Sequence, residues 1–244
     1  MKILITGSSG VVGKVLMACL SKKHQCFGID KIPSENTSVL DIVQNLDEIK
    51  KMTKGMDAII HLAWDARGSG VSSKPALPEN KKMTEVMFEA ALENKIQRFI
   101  LASSVHVSFG QINYVYPGIV KNHDTLHKHK ITEIDPTNPL GSYGASKVYL
   151  EELGKTYSAK GLLIIAARFG NITPDNNHGE YPFWLSHRDT CQFMEKSLTV
   201  KNLPSFSVFF ALSNNACNPF SLENARRLLG YNPKDGSLCP LKKK

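Results

Sequence analysis

Tyr143 and Lys147 stand four residues apart in Tyr143-Gly144-Ala145-Ser146-Lys147. On a helix that spacing puts both side chains on one face. An ammonium beside a phenol favours the phenolate and pulls a tyrosine below its ordinary pKa of about 10. Such a tyrosine is a general base able to work near neutral pH. The pattern also arises by chance, as a surface tyrosine with a solvated lysine one turn on. Its meaning depends on what the rest of the chain brings to it.

The N-terminus supplies a first partner. Residues 2–6, Lys-Ile-Leu-Ile-Thr, read as a short buried strand, and Gly7-Ser8-Ser9-Gly10-Val11-Val12-Gly13 follows. Helix formers run from Lys14 to Leu20, and a second strand, 26–29, ends at Asp30. In this order Gly7 permits a tight turn, Gly10 lets the backbone approach a pyrophosphate, and Gly13 lets helix and strand pack closely. The turn residues Ser9, Val11 and Val12 belong to the same cofactor cradle. Asp30 is placed to accept hydrogen bonds from both hydroxyls of an adenosine ribose and to repel a 2′-phosphate, which favours NAD over NADP. Lys31 beside it is the residue that would argue for the phosphate.

The alternation of strand and helix continues. A short third strand, 39–40, ends at Asp41-Ile42. Two roles are open to Asp41, a contact with the adenine amine or a cap for a helix over 43–54. Strand four, 57–64, ends in Leu62-Ala63-Trp64, with small Ala63 suited to close contact with a cofactor. His61 within it reads as a packed strand histidine. A loop at 65–79, rich in Gly, Ser and Pro and carrying Arg67, lies at the C-terminal edge of the sheet, where ligands bind in open α/β folds. A helix over 79–94, with Asn80 at its start, precedes strand five, 98–102, which ends at Ser103-Ser104. Those hydroxyls either cap the strand or point into the cleft. Residues 105–141 read as a long irregular stretch holding His123, His127 and His129. With no carboxylate or cysteine placed to complete a zinc site, the stretch reads as a surface rim. Then come a helix over 141–160 carrying Tyr143 and Lys147, strand six over 162–168, a helix over 187–197, a strand over 207–212 and a helix over 222–229.

Composition limits the alternatives. The 244 residues are 42% hydrophobic and 21% charged, the balance of a globular protein. No apolar run approaches the ~18 residues needed to span a bilayer, and the N-terminus lacks the features of a signal peptide. A cytoplasmic location is the expectation. Five scattered cysteines with no C-x-x-C read as reduced packing residues. The net charge of +8 comes in short lysine runs without interleaved aromatics, which argues against nucleic acid and suits an anionic cofactor or substrate.

Together these residues resemble the extended short-chain dehydrogenases/reductases, the NAD-dependent epimerase/dehydratase family. The matching elements are Gly7-x-x-Gly10-x-x-Gly13, Asp30, His61-Leu62-Ala63, Asn80, Ser103-Ser104, Tyr143-x-x-x-Lys147, Arg168-Phe169-Gly170-Asn171 and Leu229-Gly230-Tyr231-x-Pro233. The resemblance implies an α/β fold: a Rossmann-like doubly wound parallel sheet with a small C-terminal substrate-binding region. It implies one NAD-binding domain over 1–244, its substrate region formed mainly by 171–206 and 213–244. Within the family the chain is most similar to the compact uronate and aldose dehydrogenases, through Ala102-Ser103-Ser104-x-His106, Trp184-Leu185-Ser186 and the short ending at 218–233.

The resemblance assigns catalysis to Tyr143, Lys147 and Ser104, with Ser103 the alternative to Ser104. Cofactor binding falls to Gly7, Ser9, Gly10, Val11, Val12, Gly13, Asp30, Lys31, Asp41, Ile42, Leu62, Ala63, Trp64, Asn80, Tyr143 and Lys147. Substrate binding falls to Ser104, His106, Tyr143, Asn171 and Arg67. The expected reaction is NAD-dependent oxidation of a hydroxyl on a small sugar, sugar acid or sugar phosphate by a homodimer, without metal. Compact uronate dehydrogenases carry an arginine before Trp-Leu-Ser that grips the sugar carboxylate. Here residues 175–181 contain none, which leaves His178 or Arg188 as substitutes and keeps a neutral aldose or a sugar phosphate open. A nucleotide-sugar epimerase or dehydratase and a non-catalytic NAD-binding regulator are the alternatives.

Overall fold

Short apolar runs separated by helical segments dictate the architecture. In β1 (Lys2–Thr6) four consecutive residues are buried, and in β4 (Ala58–His61) and β6 (Ile164–Phe169) every residue is. Strands apolar on both faces belong to a parallel sheet covered on both sides. The computed structural model, which describes residues 1–65, 78–115, 130–177 and 182–238, has that arrangement. With β2 (Gln25–Asp30), β3 (Thr37–Val39), β5 (Arg98–Ser104) and β7 (Phe206–Ala211), the described strands form one parallel sheet in the order β3-β2-β1-β4-β5-β6-β7.

Alternate strand residues feed opposite cores. Ile3, Ile5, Ile60, Ile100 and Ile165 face α1 (Val11–Leu20), α6 (His187–Thr199) and α7 (Glu223–Leu229), where they meet Leu16, Phe193, Met194 and Leu229. Leu4, Ile59, Phe99 and Ile164 face α2 (Leu46–Thr53), α3 (Pro78–Glu93) and α5 (Gly141–Ser158), where they meet Ile49, Met87, Phe88 and Leu150. Chain order reverses between β1 and β4, and in such sheets the crevice beyond the carboxyl ends of those strands is the ligand site.

Several expectations change. The helix after Asp41 starts at Leu46, because Asp41 accepts from the Val43 N–H at 2.9 Å and Asn45 accepts from the Asp41 N–H at 3.0 Å, forming a turn first. The stretch after Ser104 is not all irregular. A 3-10 turn (Val105–Ser108) runs into α4 (Phe109–Val115). The expectation of reduced cysteines is corrected at Cys19 and Cys191, which form a disulfide between α1 and α6 with Cα atoms 6.2 Å apart. Both helices lie side by side on one sheet face, a proximity that spacing along the chain does not reveal. Among the described residues Cys26 is a free cysteine, and no helix is long and apolar enough to cross a membrane.

Candidate active site

The glycine turn joins β1 to α1 at the reversal point. Gly7 has φ +72°, and a side chain there would press on the Ala63 backbone after β4. A Cβ on Gly13 would collide with the Gly7 carbonyl oxygen and come within 2.6 Å of Ser8 Cα, so the helix packs here only without one. At Gly10, the N-cap of α1, a Cβ would meet only the Gly7 oxygen, at 3.3 Å, and would otherwise project into a cavity of about 300 Å³. Gly10 offers no side-chain cap, so the first amides of α1 remain available to an anion. The cradle fits a pyrophosphate.

Asp30, at the end of β2, accepts from the Ser9 N–H and the Ile32 N–H, each at 3.0 Å, while the Ser9 hydroxyl donates to the Ile32 carbonyl at 2.6 Å. Each carboxylate oxygen keeps acceptor capacity for a ribose hydroxyl. Lys31 is committed elsewhere: its Nζ is 2.8 Å from Asp41 Oδ2. Burial opposes ionisation of Asp41, but the bonds from Lys31 and the Val43 amide outweigh it and hold its carboxyl below the usual range.

Beyond the glycines the cavity runs past Leu62 and Trp64 to Ser104, Tyr143 and Lys147. A second cavity of about 250 Å³ shares Ser104 and Tyr143 and is walled by His106, Phe109, Asn171 and Phe183. Tyr143 therefore stands where a cavity floored by glycines meets one walled by aromatic rings. Gly144 explains the close fit, since a Cβ there would lie 2.5 Å from the His106 carbonyl oxygen. Its absence lets α5 press onto the turn after β5, which carries Ser104 and His106. The His106 and Trp64 rings each meet Tyr143 edge-on, at 5.2 and 5.6 Å between centroids.

The electrostatics of the pair depart from expectation. Burial raises Tyr143 above its ordinary pKa, with the Ser104 hydrogen bond pulling the other way. Lys147 is buried and pushed down to about 7, with Glu151 opposing the shift. Its Nζ donates to the Ala102 carbonyl at 2.8 Å and sits 3.9 Å from the centre of the Trp64 ring, whereas the Tyr143 ring centre is 5.7 Å away. The expected lowering of Tyr143 is thus corrected, because desolvation dominates.

Other candidates fall outside the two cavities. Asn80 is buried and holds the Asp65 backbone, accepting from its N–H at 2.7 Å and donating to its carbonyl at 3.0 Å. Its side chain secures the end of the β4 crossover. Asp41 and Ile42 line neither cavity. His61 is buried between Thr6 and Thr84 hydroxyls at 2.7 and 3.1 Å, and burial pushes it down to about 3, so it is neutral. Arg188, weighed as a carboxylate ligand, pairs with Asp235 instead. Arg67, His123, His127, His129 and His178 lie outside the described residues, among which no metal-binding cluster occurs.

Ser103 is separated from Ser104 by its partner. Its hydroxyl donates to Glu151, and Arg168 donates to the same carboxylate at 3.0 Å through Nε and 2.8 Å through Nη2. Glu151 is the residue that reading the sequence missed. It lies four residues beyond Lys147, so its place on the Tyr143–Lys147 face was legible from spacing alone. Phe109 and Phe183 were missed for different reasons: Phe109 lay in a stretch read as irregular, and Phe183 reaches the wall through the isolated bridge between Asn171 and Trp184.

The chain is similar to known proteins. An NAD-dependent glucose-6-phosphate dehydrogenase from Haloferax volcanii is 26% identical, over 96% of this chain and 94% of its own. An L-arabinose 1-dehydrogenase (NAD(P)(+)) from the same organism is 27% identical, over 97% of each chain. The crystal structure of uronate dehydrogenase from Agrobacterium tumefaciens superposes with a TM-score of 0.77 at 23% identity, covering 97% of this chain and 85% of that one, which extends the likeness in fold. With residues 3–186 matched by the family model, the chain belongs to the NAD dependent epimerase/dehydratase family.

Proposed function

We propose that this protein is an NAD-dependent dehydrogenase that oxidises a hydroxyl of a small sugar, sugar acid or sugar phosphate. The observation that carries the reading is the position of Tyr143, with Ser104 and Lys147, at the junction of the glycine-floored and aromatic-walled cavities. The named activities of the two Haloferax relatives, matched over nearly their full lengths, support the same class. Lys31 occupied by Asp41 and a carboxylate at Asp30 support NAD over NADP.

NAD, when bound, supplies the hydride acceptor. The glycine turn and the N-terminus of α1 hold the pyrophosphate. Asp30 takes the adenosine ribose. Ser104 holds the reacting hydroxyl in the aromatic-walled cavity, and His106 and Asn171 orient the sugar ring. Tyr143 Oη, as phenolate, accepts the hydroxyl proton, and the Lys147 ammonium stabilises the phenolate. Burial raises Tyr143 and lowers Lys147, so the pair of phenolate and ammonium has to be stabilised within the site against desolvation. The aromatic faces exclude water and stack on the apolar face of a sugar ring. The reading includes a cytoplasmic homodimer formed through α5, whose Tyr149 is 39% exposed.

The test is a screen for NADH formation with aldoses, sugar phosphates and uronates, each with NAD and with NADP. The expected result is turnover of one class with NAD preferred. Tight binding of a nucleotide sugar, with no net NADH from any free sugar, would overturn it.

A further inference from the structure

Tyr143, Lys147 and Glu151 form one stripe along α5, each four residues from the next. The stripe ends in a carboxylate that lines neither of the two cavities. Glu151 and Arg168 side chains are each 3% exposed. Ser103 from β5 and Arg168 from β6 grip the carboxylate, and the two residues face each other in the sheet register. Arg168 Nη1 is buried with no hydrogen-bond partner, and its guanidinium carbon lies 5.2 Å from the centre of the Phe210 ring.

We propose that Glu151 is a positioning residue of this site: its carboxylate, fixed by Ser103 and Arg168, holds Lys147 as an ammonium for Tyr143. The proposal rests on the dehydrogenase reading above.

The surroundings of Lys147 single this group out. Its Nζ contacts a carbonyl oxygen and an indole face, and among the described residues no carboxylate is within ion-pair reach. The titratable and charged groups around it are Tyr143 and Glu151 on α5, His61 on β4, Arg168 on β6 and Glu133 from the segment before α5. His61 is neutral, and the Lys147 charge helps to keep it so. Glu133 is spent on the Phe210 N–H, at 3.0 Å, and faces Arg168. Burial lowers the proton affinity of Lys147, and Glu151 is the group that opposes this.

The consequence is a coupled titration. Phenolate with ammonium and phenol with amine carry the same number of protons, so pH cannot choose between them. Only the difference in proton affinity between the two groups sets the ratio. A fixed negative charge nearer the lysine favours phenolate with ammonium, the form that works. Neutralising Glu151 moves the first proton loss of the pair to lower pH and lowers the active fraction at every pH above that loss.

The experiment compares Glu151→Gln, which keeps size and an acceptor, with Glu151→Asp, which keeps charge. Lys147 is followed directly by NMR of isotope-labelled lysine in the protein without cofactor, its signal assigned by its loss in Lys147→Met. The expected result for Glu151→Gln is a midpoint about one pH unit lower, a tenfold change in proton affinity. The acid limb of kcat/KM should move the same way and its plateau fall by about 10-fold. Glu151→Asp should restore most of the midpoint. If Glu151→Gln fails to fold because Arg168 is left unpaired, the double substitution Glu151→Gln/Arg168→Met removes the partner as well, and its midpoint should also fall. A midpoint unmoved in these variants, with only melting temperature or KM affected, would make Glu151 a structural clamp and overturn the proposal. A shifted midpoint in a protein that oxidises no sugar would keep the effect of Glu151 on Lys147 but sink the dehydrogenase reading, and with it the part that effect plays in catalysis.

Discussion

The two ends of the cavity are built by opposite means. At the dinucleotide end the work is done by backbone: Gly7, Gly10 and Gly13 clear space, and Asp30 is held by two amides. At the proton-transfer end the work is done by buried side chains whose charges perturb one another: Tyr143 up, Lys147 down, Glu151 locked to Arg168. A pyrophosphate needs oriented N–H groups, which a turn supplies whatever its side chains. A proton acceptor needs a tuned pKa, and tuning requires charge in a dry place. The first end should therefore fail sterically when altered, and the second electrostatically.

Lys147→Met is expected to give the larger effect. Without the ammonium the phenolate loses its support, and kcat should fall about 10²–10⁴-fold, the usual worth of positioned acid–base chemistry. The same change should stabilise the fold. Lys147 has a pKa near 7 in the folded chain, against about 10.4 in an unfolded one. The unfolded chain thus binds more protons across that window, so wild-type stability rises with pH there, and below it the full cost of a buried ammonium is carried. Melting curves should show Lys147→Met more stable at neutral pH, by about 2–4 °C for each kcal/mol regained, and without that rise.

Gly13→Ala comes next. Its Cβ would meet backbone at Gly7 and Ser8, so α1 must shift from β1. NAD affinity measured by calorimetry should drop by about 10-fold or more, roughly 1.4 kcal/mol, while the pH dependence of turnover with saturating cofactor stays in place.

Asp30→Gly should narrow the preference for NAD by about 10-fold, read as the ratio of kcat/KM with the two cofactors, since a charge-assisted bond to the ribose is lost and repulsion of a 2′-phosphate removed. Lys31→Ala sits at the bottom of the order. Lys31 is exposed and paired with Asp41, so its loss should change stability by less than about 1 kcal/mol, with cofactor preference within about 3-fold.

The same contrast governs what the sequence made visible. The dinucleotide end lies within the first 30 residues, and its glycines, its helix and its acid keep their roles in chain order. The parallel sheet was equally plain, because apolar runs such as 58–61 and 164–169 admit few other environments. The proton-transfer end is assembled from β4, β5, α5 and β6, residues more than 100 positions apart in the chain. Its identities were readable as types, but its couplings were not. That Ser103 turns to Glu151 while Ser104 faces Tyr143 depends on the alternation of one strand against one helix face. The aromatic wall was hidden because Phe109 sits in a short helix with no periodic signal around it. The partners of Asn80 and Arg188 were not legible for a shared reason: the Asp65 backbone and the Asp235 carboxylate reach them only through the folding of the chain.

The central claim is that Tyr143 takes a proton from a sugar hydroxyl while NAD accepts hydride from the same carbon. The direct measurement is NADH formation by the wild-type protein and by Tyr143→Phe, on the sugar that the screen identifies, beside NAD binding to both by calorimetry. The account predicts wild-type turnover, at least about 10²-fold loss of kcat in Tyr143→Phe, and NAD affinities equal within about 2-fold. NADH formation by Tyr143→Phe at the wild-type rate would contradict it.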